Sequence, residues 1–250
     1  MSRLYFYDLQ GEKISRVNCN RQIEKLLESK DKSDENYSTD EKKFIRQYSG
    51  AGGFGRNTSD EVGVLYEFYT PLWLCEKMWE KVVAVGFKGG KVLDPSSGTG
   101  NFIGFAPKQK EVTACETNPV SFRIAQILYP KAALFNQPFE QLIKTEQSSA
   151  FDLVIGNPPY GAFKSDFEAE FQNPRFHTME SFFMYYSLQL LKPGGLLVFL
   201  ISAHFIQNGK KYNQTKSLIA EQGELINAWR IPAIFKGSKI CTDIIILKKL

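Results

Sequence analysis

From Lys91 to the C-terminus, short apolar runs alternate with stretches of helical periodicity. KVLDP, EVTACE, AALFN, FDLVIGNPPY, GLLVFLIS, LINAWRI and DIIILKK each read as a strand. The segments after Gly98, after Asn118, from Ser181 to Leu191 and around Lys216–Ala220 read as helices. Strand–helix alternation predicts an α/β domain whose mainly parallel sheet is covered on both faces. The strands are continuously apolar rather than alternating, as strands buried on both sides are. Ligands of such sheets bind beyond the carboxyl ends of the strands, near the point where strand order reverses. The informative residues are therefore those where the strands stop.

The N-terminal stretch reads as helix, linker, helix. Ile23, Leu26 and Leu27 recur at helical spacing behind the candidate cap Asn20. LESKDKSDENYSTD is polar and charged and predicts an exposed linker. Ser38 followed three residues later by Glu41 has the form of a capping box and opens a second helix through Phe44, Ile45 and Tyr48. That helix stops at SGAGGFG, where Gly50, Gly52, Gly53 and Gly55 crowd together. A phosphate loop would need a strand before it, a helix after it and a Gly-Lys-Ser/Thr ending; all three are missing, so a flexible turn or lid is the better reading. No repeat of solenoid length is visible.

Composition narrows the class. The 250 residues are 43% hydrophobic and 23% charged, which excludes wholesale disorder. No apolar run approaches the ~20 residues of a membrane span, and MSRLYFYDLQGEK lacks the apolar core of a signal peptide. The four cysteines form no Cys-x-x-Cys pair and there are two histidines, so no zinc site is expected and a reducing cytoplasm is the simplest location. The net charge of +4 is small, but residues 181–250 carry nine basic and three acidic side chains. That stretch would attract a polyanion, or it is a solvated face.

The first strand ends in Asp94-Pro95-Ser96-Ser97-Gly98-Thr99-Gly100-Asn101. A Gly-x-Gly at a strand end lets backbone approach a ligand closely. Ile103 stands where the dinucleotide fingerprint needs its third glycine, which disfavours NAD. The second strand ends in Glu116, positioned to accept from ribose hydroxyls. The fourth ends in Asn157-Pro158-Pro159-Tyr160. Two prolines cannot continue a central strand; they hold an extended, rigid corner that orients the Asn157 side chain and the Pro158 carbonyl as acceptors beside the Tyr160 ring. Two acceptors and an aromatic face suit a planar substrate with an exocyclic amino group.

DPSSGTGNF, Glu116 and NPPY, in this order, resemble S-adenosylmethionine-dependent amino-methyltransferases that methylate adenine N6 in DNA. Glu67-Phe68-Tyr69-Thr70-Pro71, with LWLCEKMWEKVV after it, resembles the segment ahead of the cofactor loop in their gamma class. ESFFMYYSLQLLKPGGLLVFLIS and IPAIFKGSKICTDIIIL resemble its later units, and FIRQYSGAGGFG the lead-in of restriction–modification and phage- or plasmid-borne methylases.

The resemblance implies a Rossmann-like, seven-stranded class I methyltransferase sheet over residues 61–250, its last strand antiparallel, with a small helical N-terminal extension over 1–60. It implies S-adenosylmethionine as cofactor, held by Tyr69, Thr70, Pro71, Asp94, Ser96, Gly98, Gly100, Glu116, Phe139 and Asn157. Catalysis would fall to Asn157, Pro158 and Tyr160, and a flipped base would stack on Tyr160 and Phe235. The family's acidic contact to the cofactor adenine is replaced by Pro138, while Phe139 would stack on that ring. DNA is the implied partner. The family normally carries a target-recognition region after its last strand, and none is expected here, so specificity would come from further domains of a longer chain or a separate subunit. Enzymes that methylate protein glutamine or RNA share the NPPY loop and stay open as alternatives, as does a non-catalytic DNA-binding subunit; cytosine N4 is less suited, since that class usually begins the motif with serine.

Overall fold

A computed structural model describes residues 5–49, 68–146, 148–163, 170–171, 176–205, 213–235 and 241–250. The glycine-dense segment and Glu67 lie outside the described residues.

The chain begins with a small antiparallel pair, β1 (Phe6–Tyr7) and β2 (Lys13–Ile14), then helices α1 (Arg16–Ser33), α2 (Thr39–Ile45) and α3 (Leu72–Ala84). Strands β3 (Val92–Asp94), β4 (Val112–Cys115), β5 (Ala133–Phe135), β6 (Phe151–Gly156), β7 (Leu191–Ser202), β8 (Gly223–Ile231) and β9 (Thr242–Lys249) form one sheet. Between them lie α4 (Pro119–Leu128), α5 (Phe139–Thr145), α6 (Met179–Leu190) and α7 (Asn213–Ala220). The sheet order is β5-β4-β3-β6-β7-β9-β8. β9 runs antiparallel to both its neighbours and the other pairings are parallel.

All seven strands fall on the predicted apolar runs; the edge strands β5 and β8 are largely exposed, against the expectation of a sheet covered on both faces throughout, and the pleat divides the side chains of the inner strands between two cores. Val154, Leu197, Phe199, Ile201, Ile245 and Leu247 face α5, α6 and α7. Leu153, Ile155, Leu196, Val198, Leu200, Ile244 and Ile246 face α3. A third cluster joins α1 and α2 to α4 through Ile23, Leu27, Phe44, Ile45 and Ile124. The chain leaves β3 toward β4 and β5, then crosses back to β6, so the order reverses between β3 and β6. A crevice opens at their carboxyl ends, as such a reversal requires.

Four local expectations are corrected. α1 is capped by Ser15, whose side chain accepts from Asn18 N–H, not by Asn20; Asn20 instead ties α1 to Ser49 through its amide at 2.8 and 3.2 Å. α1 also runs to Ser33 through half of the expected linker, whose Lys and Glu residues are good helix formers on a solvent face; Asp34 ends it in the left-handed region at φ 54°. After Gly98 there is only a 3-10 turn, Ile103–Phe105, because Gly104 and Pro107 leave no room for an α-helix. Helix α5 and the β1–β2 pair lie outside the elements expected from periodicity. The capping box is present as expected, with Glu41 N–H on Ser38 Oγ and Ser38 N–H on Glu41 Oε2.

Candidate functional site

The ends of β3 and β6 meet in a cleft lined by Phe68, Tyr69, Thr70, Ser96, Ser97, Gly98, Thr99, Asn101, Phe102 and Asn157. On one side, the loop after Asp94 turns through Gly98 at φ 54° and Gly100 at φ 82°. A side chain at Gly98 would come within 3.2 Å of the Tyr69 ring, and one at Gly100 within 2.7 Å of the Tyr129 ring. Both positions thus need glycine for backbone conformation and for space.

Glu116, at the end of β4, fastens that loop: its Oε2 accepts Gly98 N–H at 2.7 Å and its Oε1 accepts Asn118 N–H at 2.7 Å. Oε1 also lies 3.5 Å from the Thr117 hydroxyl, so this carboxylate stands at the mouth of the loop with both oxygens turned toward donors. Asn136 braces the same corner by donating to the Glu116 and Thr117 carbonyls at 2.7 and 3.2 Å.

Asp94 is 1% exposed; Oδ1 accepts Ser96 N–H at 3.3 Å, while Oδ2 is buried without a partner. Burial above all, with the nearby Glu116 charge adding to it, pushes its carboxyl up to about 8 despite the Ser96 amide. The buried Thr70 hydroxyl also lacks a partner, while its carbonyl takes Asn101 Nδ2 at 2.9 Å. Tyr69 closes this side, its hydroxyl hydrogen-bonded to Ser121 Oγ and its ring 6.4 Å from that of Tyr48. Pro71 stands at the N-terminus of α3, just beyond the cleft lining. Two unpartnered buried oxygens, a glycine cradle and a strand-end glutamate fit a ligand with an amino group at one end and a ribose at the other.

On the other side stands Asn157. Its Nδ2 donates to Phe68 O at 2.9 Å, which fixes the amide so that Oδ1 is the acceptor left over. Tyr160 Oη donates to that Oδ1 at 2.6 Å and approaches Leu200 O at 3.3 Å. Ser96 Oγ donates to Asn157 O at 3.1 Å, linking the two loops. Pro158 is buried directly behind. Phe235, 8% exposed, packs on Phe68 at 4.9 Å between ring centroids and edge-on to Tyr160 at 6.4 Å.

The structure thus gathers Tyr69, Thr70, Ser96, Gly98, Asn157, Tyr160 and Phe235, with Asp94, Gly100 and Glu116 behind the glycine loop. It does not bring Phe139 there. As first residue of α5, Phe139 is 2% exposed and its ring packs on Phe183 at 4.7 Å and Phe182 at 6.3 Å, so no face is left to stack on a ligand in this cleft. Asn101 and Phe68 were within reach of the motifs flanking them, whereas nothing local marks Ser121 as the partner of Tyr69. Among the described residues, no group of three or more His, Cys, Asp or Glu could hold a metal ion, and no helix is long and apolar enough to cross a membrane.

A seven-stranded sheet of this order, with a glycine loop after its central strand and a ligand cleft at the switch point, is the class I S-adenosylmethionine-dependent methyltransferase fold. A structure assigned to that class from Listeria monocytogenes superposes with a TM-score of 0.61 at 19% identity, covering 97% of this chain and 70% of that one. Within the class, residues 101–232 match the Eco57I restriction-modification methylase family, and the chain belongs to it. It is 30% identical over 215 residues to the "Defense against restriction protein B" of Escherichia phage P1, covering 84% of this chain and 9% of that protein. It is 25% identical over 182 residues to the type II methyltransferase M.TthHB8I of Thermus thermophilus, covering 65% of this chain and 40% of that protein. The chain therefore spans less than half the length of either of these curated relatives.

Proposed function

We propose that this chain transfers a methyl group from S-adenosylmethionine to the N6 amino group of an adenine flipped out of DNA, in a restriction–modification or mobile-element setting. The observation that carries this is the Asn157 amide, whose orientation is set by the Phe68 carbonyl so that Oδ1 stands as an acceptor beside Tyr160, across the cleft from the glycine loop. The relatives support the setting: one is named for defence against restriction, the other as a type II methyltransferase.

S-Adenosylmethionine supplies an electrophilic methyl on a sulfonium. Asp94 and Thr70 offer unpartnered oxygens to its amino acid end, and Glu116 accepts from its ribose. The adenine amino nitrogen is a poor nucleophile because its lone pair is delocalised into the ring. Asn157 Oδ1 and the Pro158 carbonyl accept its two hydrogens, which turns the lone pair out of the ring and stabilises positive charge on nitrogen. Holding the two reactants in line supplies much of the remaining acceleration. Tyr160 stacks against the base, and Phe235 adds a second face once its ring turns from Phe68, each such contact contributing roughly 1–3 kcal/mol. A base in a duplex cannot reach these groups, so it must leave the stack.

The test is incubation with tritiated S-adenosylmethionine and, separately, duplex DNA, RNA and protein, followed by digestion. Label in N6-methyladenine from DNA is the expected result. Label in a glutamine side chain or in RNA alone would overturn the substrate assignment, since an amide and an adenine present similar amino donors.

A further inference from the structure

Glu180 lies in the first turn of α6, behind a cap in which Thr178 Oγ1 accepts Ser181 N–H at 3.3 Å. A carboxylate is favoured there by the helix dipole. Yet this one is 5% exposed, and among the described residues no lysine or arginine pairs with it. A buried carboxylate without a counter-ion is costly, so what it holds matters. What it holds by a hydrogen bond is the Gly161 amide, whose N–H donates to Oε2 at 3.4 Å, while the Ser202 amide and its own ease its charge.

These amides frame the substrate side of the cleft. Gly161 directly follows Tyr160, takes φ 112° and accepts Met179 N–H on its carbonyl at 3.0 Å. The next residues zip onto the segment ahead of α6 through the Ala162–Thr178 bridge and Phe163 N–H on His177 O at 3.0 Å. Ser202 ends β7, two residues past Leu200, whose carbonyl faces the Tyr160 hydroxyl at 3.3 Å. One carboxylate therefore holds the wall that follows Tyr160 by a hydrogen bond and faces the end of β7 on the other side, and Tyr160 in turn touches Asn157 Oδ1.

We infer that Glu180 is a positioning residue for the transfer reaction, holding the Gly161 amide so that the Tyr160 ring keeps its place beside Asn157 for the amino substrate. The inference rests on the methyl-transfer reading for its effect on rate, but the clamp itself is observable without turnover. Burial pushes the Glu180 carboxyl up to about 7, against the pull of the three amides. The groups facing it are its own amide from α6, the Ser202 amide from β7, and the Gly161 amide and Tyr160 phenol from the loop after β6. Burial first, and the Glu180 charge second, hold that phenol well above its ordinary range, so it stays a neutral donor. The carboxylate form grips the Gly161 amide; protonation weakens the grip.

The experiment compares the full chain with Glu180→Gln and Glu180→Asp. Glutamine keeps the shape but turns an amino group toward amide donors. In protein labelled with nitrogen-15, the Gly161 amide resonance should shift with pH around a midpoint near 7, as the carboxyl does. In Glu180→Gln it should not. With duplex DNA and saturating cofactor, Glu180→Gln should lose about 10- to 100-fold in kcat, as a small misplacement of reacting groups does, with cofactor affinity unchanged. The acid limb of its kcat profile should vanish, and Glu180→Asp should restore part of both. A Gly161 amide indifferent to pH in the unmodified chain, or a folded Glu180→Gln with unaltered kcat and pH profile, would overturn the inference. If the unmodified chain methylates no substrate, the functional reading fails, while the Gly161 titration still decides for or against the clamp.

Discussion

The two halves of the cleft are built by different means. At the ends of β3 and β4 the shape is set by backbone: Gly98 and Gly100 turn the loop, and Glu116 pins Gly98 and Asn118 through their amides. Two buried oxygens, on Asp94 and Thr70, stand without partners. At the end of β6 the shape is set by side chains that satisfy one another, with the Tyr160 hydroxyl on the Asn157 amide oxygen. The first half carries unpartnered, buried oxygens; the second has its key acceptor engaged by the Tyr160 hydroxyl. A ligand therefore meets unpartnered oxygens in the first and must displace an internal hydrogen bond in the second. Cofactor binding and substrate binding should be separable by mutation.

The sharpest test of that separation is Asn157→Ala. It removes an acceptor used only as charge develops at the amino nitrogen, so kcat should fall by about 100- to 1,000-fold, the cost of losing one such preorganised group. Cofactor affinity by calorimetry should stay within a few-fold. Equal losses in both would merge the two halves.

Gly100→Ala attacks the other half. The alanine would adopt φ 82° and meet the Tyr129 ring at 2.7 Å. Strain and overpacking together cost about 2–4 kcal/mol. A fall in Tm of roughly 5–15 °C follows for a domain of this size. Cofactor binding should be lost with it. A neutral substitution would mean that the loop is not backbone-determined.

Asp94 tests the vacant oxygens through pH. Its folded value, about 8, lies above the ordinary 3.8, so the protonated form is the one that folding favours. The contribution to stability is fully present below pH 3.8 and is lost as pH rises toward about 8, where the loss levels off. Its slope is at most about 1.4 kcal/mol per pH unit. Denaturant unfolding of the unmodified chain and Asp94→Asn across that window should diverge in this sense, the variant lacking the decline. Parallel curves would show that the carboxyl is not buried uncompensated.

How much of this was legible in the sequence divides along the same line. The five inner strands were, because strands buried on both faces leave continuous apolar runs; the edge strands β5 and β8 are largely exposed, and their runs are short or broken by polar residues. Asp94, Glu116 and Asn157 were, because each stands where a strand stops. Phe139 was not: the family resemblance implies that it stacks on the cofactor adenine, but only the docking of α5 on α6 shows that its ring is spent on Phe183. Nor was the extent of α1, since a charged helical face and a linker have the same composition. Glu180 was out of reach for a third reason. Its partners Gly161 and Ser202 lie about twenty residues away on either side and meet it only through the fold.

Tyr160→Phe probes the smallest effect, and the one that most depends on the halves differing. Removing the hydroxyl keeps the ring for stacking and frees Asn157 Oδ1 from its internal donor. One hydrogen bond between neutral groups is worth about 0.5–1.5 kcal/mol net, so the apparent KM for DNA should fall by about 2- to 10-fold. Cofactor affinity should not change. The opposite sign would be equally informative. A rise in KM would mean that the phenol holds Asn157 in its working orientation, and that the substrate side is completed by its internal hydrogen bond instead of closed by it. The Phe68 carbonyl on Asn157 Nδ2 argues for the first outcome, because it already fixes the amide without help from Tyr160.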